Sequence, residues 1–459
     1  MSLIDPSILR TYDIRGLVDQ DLTHDAVCAL GQAIGSAAAD AEQTAVVVGY
    51  DGRESSPRLA AAVREGLMTA GRDVIDIGQV PTPVMYFATH HLGTGTGVAV
   101  TGSHNPSEDN GLKTVIAGRP LWGEGIQALG ERIHDHTLTH GSGSERQQDV
   151  LSAYQSRISD EITLPRQLRV VVDCGNGVAG AIAPAVLSTL GAEVIPLFCE
   201  VDGRFPNHHP DPTVPENLDD LIAAVSEHQA DLGLAFDGDG DRLGVVDDQG
   251  HVIWADRQMM LYARAVLEER PGASILFDVK CTGQLAEVIR AAGGEPIMWR
   301  TGHSLIKEKL RETGAPLAGE MSGHLFFNDR WYGFDDAIYA AARLLEILAR
   351  QTQTTSAVFK ALPEPVSTPE IRLDLAEGEP HRLINALMAE ASDFDNATIT
   401  TLDGLRVDFA DGWGLVRASN TQPCLVMRFE GQDQAALERI RARFNQLIQT
   451  AGAVCGVVI

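Results

Sequence analysis

Continuous apolar runs, more than alternating ones, carry the first signal along this chain. Segment 45–78 reads AVVVGYD, a glycine-bearing turn, PRLAAAVREGLMTAG and DVIDIG. Segment 168–198 reads LRVVVD, CGNG, VAGAIAPAVLSTLG and AEVIPLF, and segment 273–299 reads ASILFD, VKCTG, QLAEVIRAAGG and EPIMW. Each is a β-branched run ending at Asp51, Asp173 or Asp278, then a turn, an apolar-periodic helix stopped by glycine, and a second buried strand. A terminal glycine suits the left-handed cap of a helix. Uninterrupted apolar strands alternating with helices predict sheets with parallel strands covered on both faces. The repeat predicts three related α/β domains with mixed or parallel sheets.

The last hundred residues lose this rhythm. Strands are expected at 369–375, 397–402 and 424–430, a hairpin over 405–418 turning at Asp411-Gly412, and helices over 381–392 and 432–450. That mixture fits a separate α+β domain. Crowded prolines at 363–369, a Gly/Ser-rich stretch at 141–148 and a polar turn at 247–251 predict domains at 1–149, 150–251, 252–363 and 364–459.

Composition narrows the function. The 459 residues carry 63 acids against 36 bases, a formal charge of −27. Such a surface repels nucleic acid and anionic membranes, so neither is expected as a partner. No basic flank or long apolar run opens the chain, and no eighteen-residue apolar stretch occurs. With six scattered cysteines and no CxxC pair, this predicts a cytoplasmic protein with reduced thiols. The acidity would also repel a phosphorylated substrate, so any phosphate site needs a local basic pocket.

Four loops carry candidate chemistry. Asp237-Gly238-Asp239-Gly240-Asp241-Arg242 joins two apolar runs. Carboxylates at every second position can converge on one hard cation, with the glycines allowing a tight turn. An EF-hand fails, because position six is Arg242 and position twelve is Asp248. Oxygen ligands without cysteine or histidine favour Mg²⁺ over zinc. Thr101-Gly102-Ser103-His104-Asn105-Pro106 follows the run 98–100. Taken alone, Ser103 reads equally as a cap or as a functional serine at a strand end. A Ser103–His104 dyad is not expected, since adjacent side chains of extended backbone diverge. An acidic triad elsewhere shifts the reading toward a serine that carries phosphate, because a metal stabilises charge on a transferring phosphoryl group. Gly319-Glu320-Met321-Ser322-Gly323-His324 suits bidentate hydrogen bonding to vicinal sugar hydroxyls, though taken alone it reads first as a plain turn. Arg417-Ala418-Ser419-Asn420-Thr421-Gln422-Pro423 offers a guanidinium, hydroxyls, an amide and backbone N–H groups to a phosphate dianion, or is a polar turn.

Read in order, RTYDIRG (10–16), TGSHNP (101–106), DGDGDR (237–242), GEMSGH (319–324) and RASNTQP (417–423) resemble the α-D-phosphohexomutase family. They are most similar to its bifunctional phosphomannomutase/phosphoglucomutase branch. The resemblance covers essentially the whole chain and implies four domains around a central cleft. It implies a phosphoserine at Ser103 and Mg²⁺ held by Asp237, Asp239, Asp241 and the Ser103 phosphate. Glu320 and Ser322 would hold sugar hydroxyls, and Arg417, Ser419, Asn420 and Thr421 the non-reacting phosphate. Tyr12, Arg15, Lys113, Arg242, Lys280 and His303 resemble further cleft residues. Lys113 and His324 are the candidates for acid–base work, with Arg15 in support. The implied reaction interconverts hexose 1- and 6-phosphates of mannose or glucose through a 1,6-bisphosphate, which also serves as activator. The enzyme would be a monomer or weak dimer. A phosphoglucosamine mutase and a Mg²⁺-dependent sugar phosphatase are the alternatives, the latter having no need of a second phosphate site.

Overall fold

The computed structural model describes residues 3–376, 378–390, 394, 397–419 and 423–457. Among them lie four sheets, of seven, five, four and six strands. The first three share one plan. In the first, Ala45–Tyr50 pairs in parallel with Asp73–Gln79 and with Gly97–Val100, and Gly97–Val100 pairs antiparallel with Asp109–Ile116. In the second, Arg169–Asp173 stands between Glu193–Leu197 and Leu232–Phe236, and Leu243–Asp247 closes back antiparallel. In the third, Ser274–Asp278 stands between Glu295–Trp299 and Leu317–Gly319, followed antiparallel by Leu325–Phe327. The expected parallel strands are present, and each sheet is mixed because of that returning strand.

This repeat places three of the candidate loops in equivalent positions. Ser103, the Asp237–Asp241 run and Glu320 each sit where the third strand of a unit turns back into its antiparallel neighbour. The central strands Val46–Val48, Val170–Val172 and Ile275–Phe277 are buried. Burial of β-branched side chains on both faces fixes the strands. The loops at their carboxyl ends are then the part of each unit available to ligands.

The fourth sheet is wholly antiparallel, with Gly412–Ala418 between Leu405–Phe409 and Cys424–Gly431. The expected hairpin turns at Asp411-Gly412, where Gly412 has φ +155 and its hypothetical Cβ would meet the Glu430 carbonyl. Glu379–Glu390 and Gln434–Cys455 cover one face through Leu383, Leu387, Ile440 and Phe444. Arg406 bolts this unit to the third, donating to the carbonyls of Val279 at 2.7 Å and Cys281 at 2.9 Å while stacking 3.9 Å over Trp413. No helix among the described residues is long and apolar enough to cross a membrane.

Candidate active site

The serine loop is held from beneath by a buried arginine that the motifs did not single out. Arg53 donates to the carbonyls of Ser103 at 2.9 Å, Asn105 at 2.6 Å and Asp109 at 3.0 Å, and also to Pro106. Asp51 orients it through Nε and also accepts from the Thr101 hydroxyl at 2.8 Å and the Gly102 amide at 3.1 Å. Glycine at 102 leaves room for the clamp, since a Cβ there would lie 2.4 Å from the Arg53 guanidinium and push it aside. The clamp turns Ser103 into a left-handed conformation, φ +50, with its Oγ 3.1 Å from Asp237 Oδ2. No helix follows the serine, which removes the capping reading. The same turn corrects the expectation about His104. Ser103 is not extended, and its Oγ lies 3.1 Å from His104 Nδ1. Burial, aided by Arg242, holds that imidazole well below its ordinary range, so it is neutral.

The aspartate loop meets the serine loop backbone to backbone. A Cβ on Gly238 would lie 2.3 Å from the Ser103 carbonyl oxygen. Asp237 Oδ1 accepts from the amides of Asp241 and Arg242 at 3.0 and 3.1 Å, which curls the loop over its own first residue. Thr82 fastens the far side, its amide to the Asp239 carbonyl at 2.9 Å and its hydroxyl to Asp239 Oδ2 at 2.5 Å. The carboxylates of Asp237, Asp239 and Asp241 offer oxygens within 4.8 Å of one another, and all three residues are fully buried. Burial and the two neighbouring carboxylates push Asp237 well above its ordinary range.

Such a cluster demands positive charge, and Lys113 supplies it here. Its Nζ lies 2.8 Å from Asp239 Oδ2 and 2.5 Å from Asp241 Oδ2. Burial would lower its pKa, but the aspartates outweigh this and raise it well above the usual lysine range. The donor set fits a divalent cation. Asp239 Oδ1 and Asp241 Oδ1 are buried without a hydrogen-bond partner among the described residues, and an ammonium already stands among the carboxylates.

The third loop joins through His324. Arg242 Nε donates to His324 Nε2 at 3.0 Å, so the ring carries its hydrogen on Nδ1. That nitrogen faces Asp335 Oδ2 at 3.1 Å and Asp241 Oδ1 at 3.4 Å. His303 stacks on His324 with centroids 5.5 Å apart, its Nδ1 3.6 Å from the same Asp335 oxygen. Asp335 thus faces both rings at ion-pair distance, and Lys307, 2.9 Å from its other oxygen, balances it. Burial would raise the Asp335 carboxyl; Lys307 and the histidines instead hold it well below its ordinary range. Asp335 lies in no motif of the sequence, whereas Lys307 closes the stretch TGHSLIK (301–307) that contains His303.

The remaining predicted residues that the structure describes are each held by partners of their own. Arg15 donates to Asn105 Oδ1 at 2.5 Å and pairs with Asp13, on the rim of the serine loop. Tyr12 Oη donates to the Thr301 carbonyl at 2.8 Å. Glu320 Oε1 accepts from the Gly302 amide at 2.5 Å, and Ser322 Oγ stands 3.5 Å from Oε2. Lys280 pairs with Glu370 at 3.1 Å. Arg417 pairs with Asp403 at 3.1 Å, and Asp403 also accepts from the Thr301 amide at 3.0 Å. Ser419 continues the strand, its amide donating to the Cys424 carbonyl at 2.9 Å. Asn420 and Thr421 lie outside the described residues.

Four family descriptions match in order: phosphoglucomutase/phosphomannomutase alpha/beta/alpha domain I over residues 6–139, domain II over 150–250, domain III over 254–366, and the C-terminal domain over 370–447. The chain is 54% identical over 442 residues to a phosphomannomutase/phosphoglucomutase of Pseudomonas aeruginosa, covering 96% of this chain and 95% of that protein. It is 49% identical over 454 residues to a phosphoglucomutase of Neisseria gonorrhoeae, covering 98% of each. A crystal structure of a phosphoglucomutase/phosphomannomutase family protein from Burkholderia thailandensis superposes with a TM-score of 0.93 at 51% identity, covering 98% of both chains.

Proposed function

Because this chain belongs to the phosphoglucomutase/phosphomannomutase family and is a hexose phosphate mutase, an isomerase, we propose that Ser103 is the group that carries its phosphoryl. The observation that carries this reading is the Ser103 Oγ, 3.1 Å from Asp237 and backed by a buried triad of carboxylates.

Asp237, Asp239 and Asp241 would hold one Mg²⁺, with the Ser103 phosphate as a further ligand. The bound ion would neutralise charge on the phosphoryl group in flight. Everything else falls to the chain's own residues. Lys113, held protonated by its neighbours, adds positive charge at the transferring group. Glu320 and Ser322 orient the sugar, and Arg417, Ser419, Asn420 and Thr421 grip the phosphate that does not react. Tyr12, Lys280 and His303 line the same path, and Arg15 steadies the serine loop. His324 takes the proton from the attacking hydroxyl through Nε2, once Arg242 leaves that nitrogen for a substrate phosphate. A positioned base of this kind contributes about 10²–10⁴-fold.

Phospho-Ser103 gives its phosphoryl to the free hydroxyl of a 1- or 6-phosphosugar. The 1,6-bisphosphate turns round and returns the other phosphoryl to Ser103, so a trace of bisphosphate acts as activator. Mannose and glucose phosphates are the proposed substrates. The domains are taken as 1–149, 150–251, 252–363 and 364–459, with Val252–Ile253 reaching back to pair with Leu243–Asp247. A monomer or weak dimer in the cytoplasm completes the reading.

A coupled assay of glucose 1-phosphate conversion, with Mg²⁺ and a trace of the 1,6-bisphosphate, tests it. Wild type is expected to yield glucose 6-phosphate and Ser103→Ala to lose turnover by about 10⁴-fold or more. Release of inorganic phosphate without the 6-phosphate would establish a phosphatase instead. Mannose and glucosamine 1-phosphates in the same assay rank the substrates.

A further inference from the structure

We propose that Cys174 and Cys199 form a reversible disulfide, a modification site for hydroperoxides on the segment that backs the aspartate loop. The two cysteines follow neighbouring parallel strands, Arg169–Asp173 and Glu193–Leu197. The ladder continues one residue further, with the Cys174 amide donating to the Leu197 carbonyl at 3.1 Å. Phe198 then adopts a left-handed conformation, φ +48, and Cys199 comes back beside Cys174. The two Sγ atoms lie 3.5 Å apart. A disulfide needs about 2.0 Å, so closing the gap asks for a side-chain adjustment of about 1.5 Å.

The pair divides the chemistry between its members. Cys174 is buried and Cys199 half-buried, so a small oxidant reaches Cys199 first. Cys199 is therefore the member that meets the peroxide; its Sγ, 3.5 Å from Cys174 Sγ and 3.3 Å from the Val172 carbonyl, gives up its proton to solvent. Its thiolate attacks one oxygen of the hydroperoxide. The O–O bond breaks, water or an alcohol leaves, and Cys199 becomes a sulfenic acid. The Cys174 sulfur then attacks the Cys199 sulfur, the S–O bond breaks, and the hydroxyl departs as water with the Cys174 proton. Two thiols are oxidised by two electrons, one peroxide is reduced, and an external dithiol reverses the change.

The modification has a short route to the site. Cys174 opens a turn in which Gly175 and Asn176 both hold positive φ, +48 and +60. The turn ends against the aspartate loop, with the Val178 amide donating to the Gly238 carbonyl at 3.1 Å. A Cβ on Gly177 would lie 2.9 Å from the Gly238 carbonyl oxygen and 3.0 Å from its Cα. Gly238 itself presses on the Ser103 carbonyl. Moving Cys174 therefore moves a backbone packed without slack behind residues 237–241.

The test treats reduced full-length protein with a small excess of hydrogen peroxide, blocks remaining thiols, and digests without reductant. Mass spectrometry is expected to find peptides bearing Cys174 and Cys199 cross-linked and lighter by two hydrogens. Mutase turnover should fall about threefold or more and recover with dithiothreitol. Cys199→Ser, and separately Cys199→Ala, should keep the turnover of the untreated protein and resist peroxide. Oxidation without a 174–199 link overturns the site, as does equal peroxide sensitivity in the Cys199 variants. A link formed with unchanged turnover overturns its coupling to the aspartate loop. The cross-link is read independently of activity, so failure of the mutase reading would show as absent turnover in the reduced protein.

Discussion

The junction between the first two sheets and the ring of cations around the third and fourth are built in opposite ways. At the junction the catalytic groups are already in contact. Gly238 lies against Ser103, Arg53 fixes the serine loop's carbonyls, and Lys113 reaches from the first sheet into the carboxylates of the second. In the outer ring the cations are tied to carboxylates instead: Arg417 to Asp403 and Lys280 to Glu370. Transfer needs in-line geometry, which close backbone packing supplies. A site that must accept two orientations of one intermediate needs cations that can exchange partners, and ion pairs supply that. Rigidity is thus concentrated where the phosphoryl moves, while exchangeable charge lies where the sugar is held.

The largest effect should come from disturbing the junction without touching a side chain that reacts. Gly238→Ala places a methyl 2.3 Å from the Ser103 carbonyl oxygen, and the two loops must part. Turnover is expected to fall about 10²-fold or more, as for a displacement of order 1 Å at a reacting centre. Steady-state kinetics with a thermal melt checks it, and activity within about threefold of wild type would show that the junction is not rigid. Next is Asp335→Asn, which keeps the shape but removes the carboxylate charge that faces both histidines. Turnover should drop about 10- to 100-fold with KM little changed, and a change confined to KM would count against an orienting role.

The fold was legible where burial follows from the chain itself. Valine-rich runs at 46–48 and 170–172 announce covered strands, and glycine marks the helix ends. The shared position of the three loops was not, because TGSHNP, DGDGDR and GEMSGH have little in common as strings, and only the strand order relates them. Ser103 with positive φ was invisible for a related reason. Serine has no preference for that conformation, and Arg53, fifty residues away, imposes it. Arg53, Thr82 and Asp335 act through partners remote in sequence, so no local pattern exposes them. Lys113 lies in an ordinary strand; its place among three aspartates appears only once two sheets meet.

The outer ring gives smaller effects with a different signature. Arg417→Ala should raise KM for hexose phosphate about tenfold or more, the loss of a charge-assisted contact, with turnover at saturation less affected. An equal loss in both would make Arg417 part of the transfer machinery and erase the distinction between the regions. The smallest effect is expected at Glu370, where the Lys280 ammonium outweighs burial and draws the carboxyl down from 4.5 to about 2. A depressed carboxyl stabilises the fold above its unfolded value and loses that contribution as pH falls through the folded one. Wild type should therefore exceed Glu370→Gln in stability near neutral pH, with the gap closing below about pH 4.5 toward pH 2. Urea melts of the two proteins across that range measure it, and a gap independent of pH would remove the ion pair from the account.

The most direct measurement follows the phosphoryl group. Wild type is mixed with Mg²⁺ and hexose 1,6-bisphosphate labelled in both phosphates, quenched within a turnover, and its labelled peptide mapped. Label is predicted on Ser103 alone, leaving for the 6-phosphate when unlabelled glucose 1-phosphate is added, and absent from Ser103→Ala. Label on any other residue, or an unlabelled Ser103 in an enzyme that turns over normally, would contradict the account.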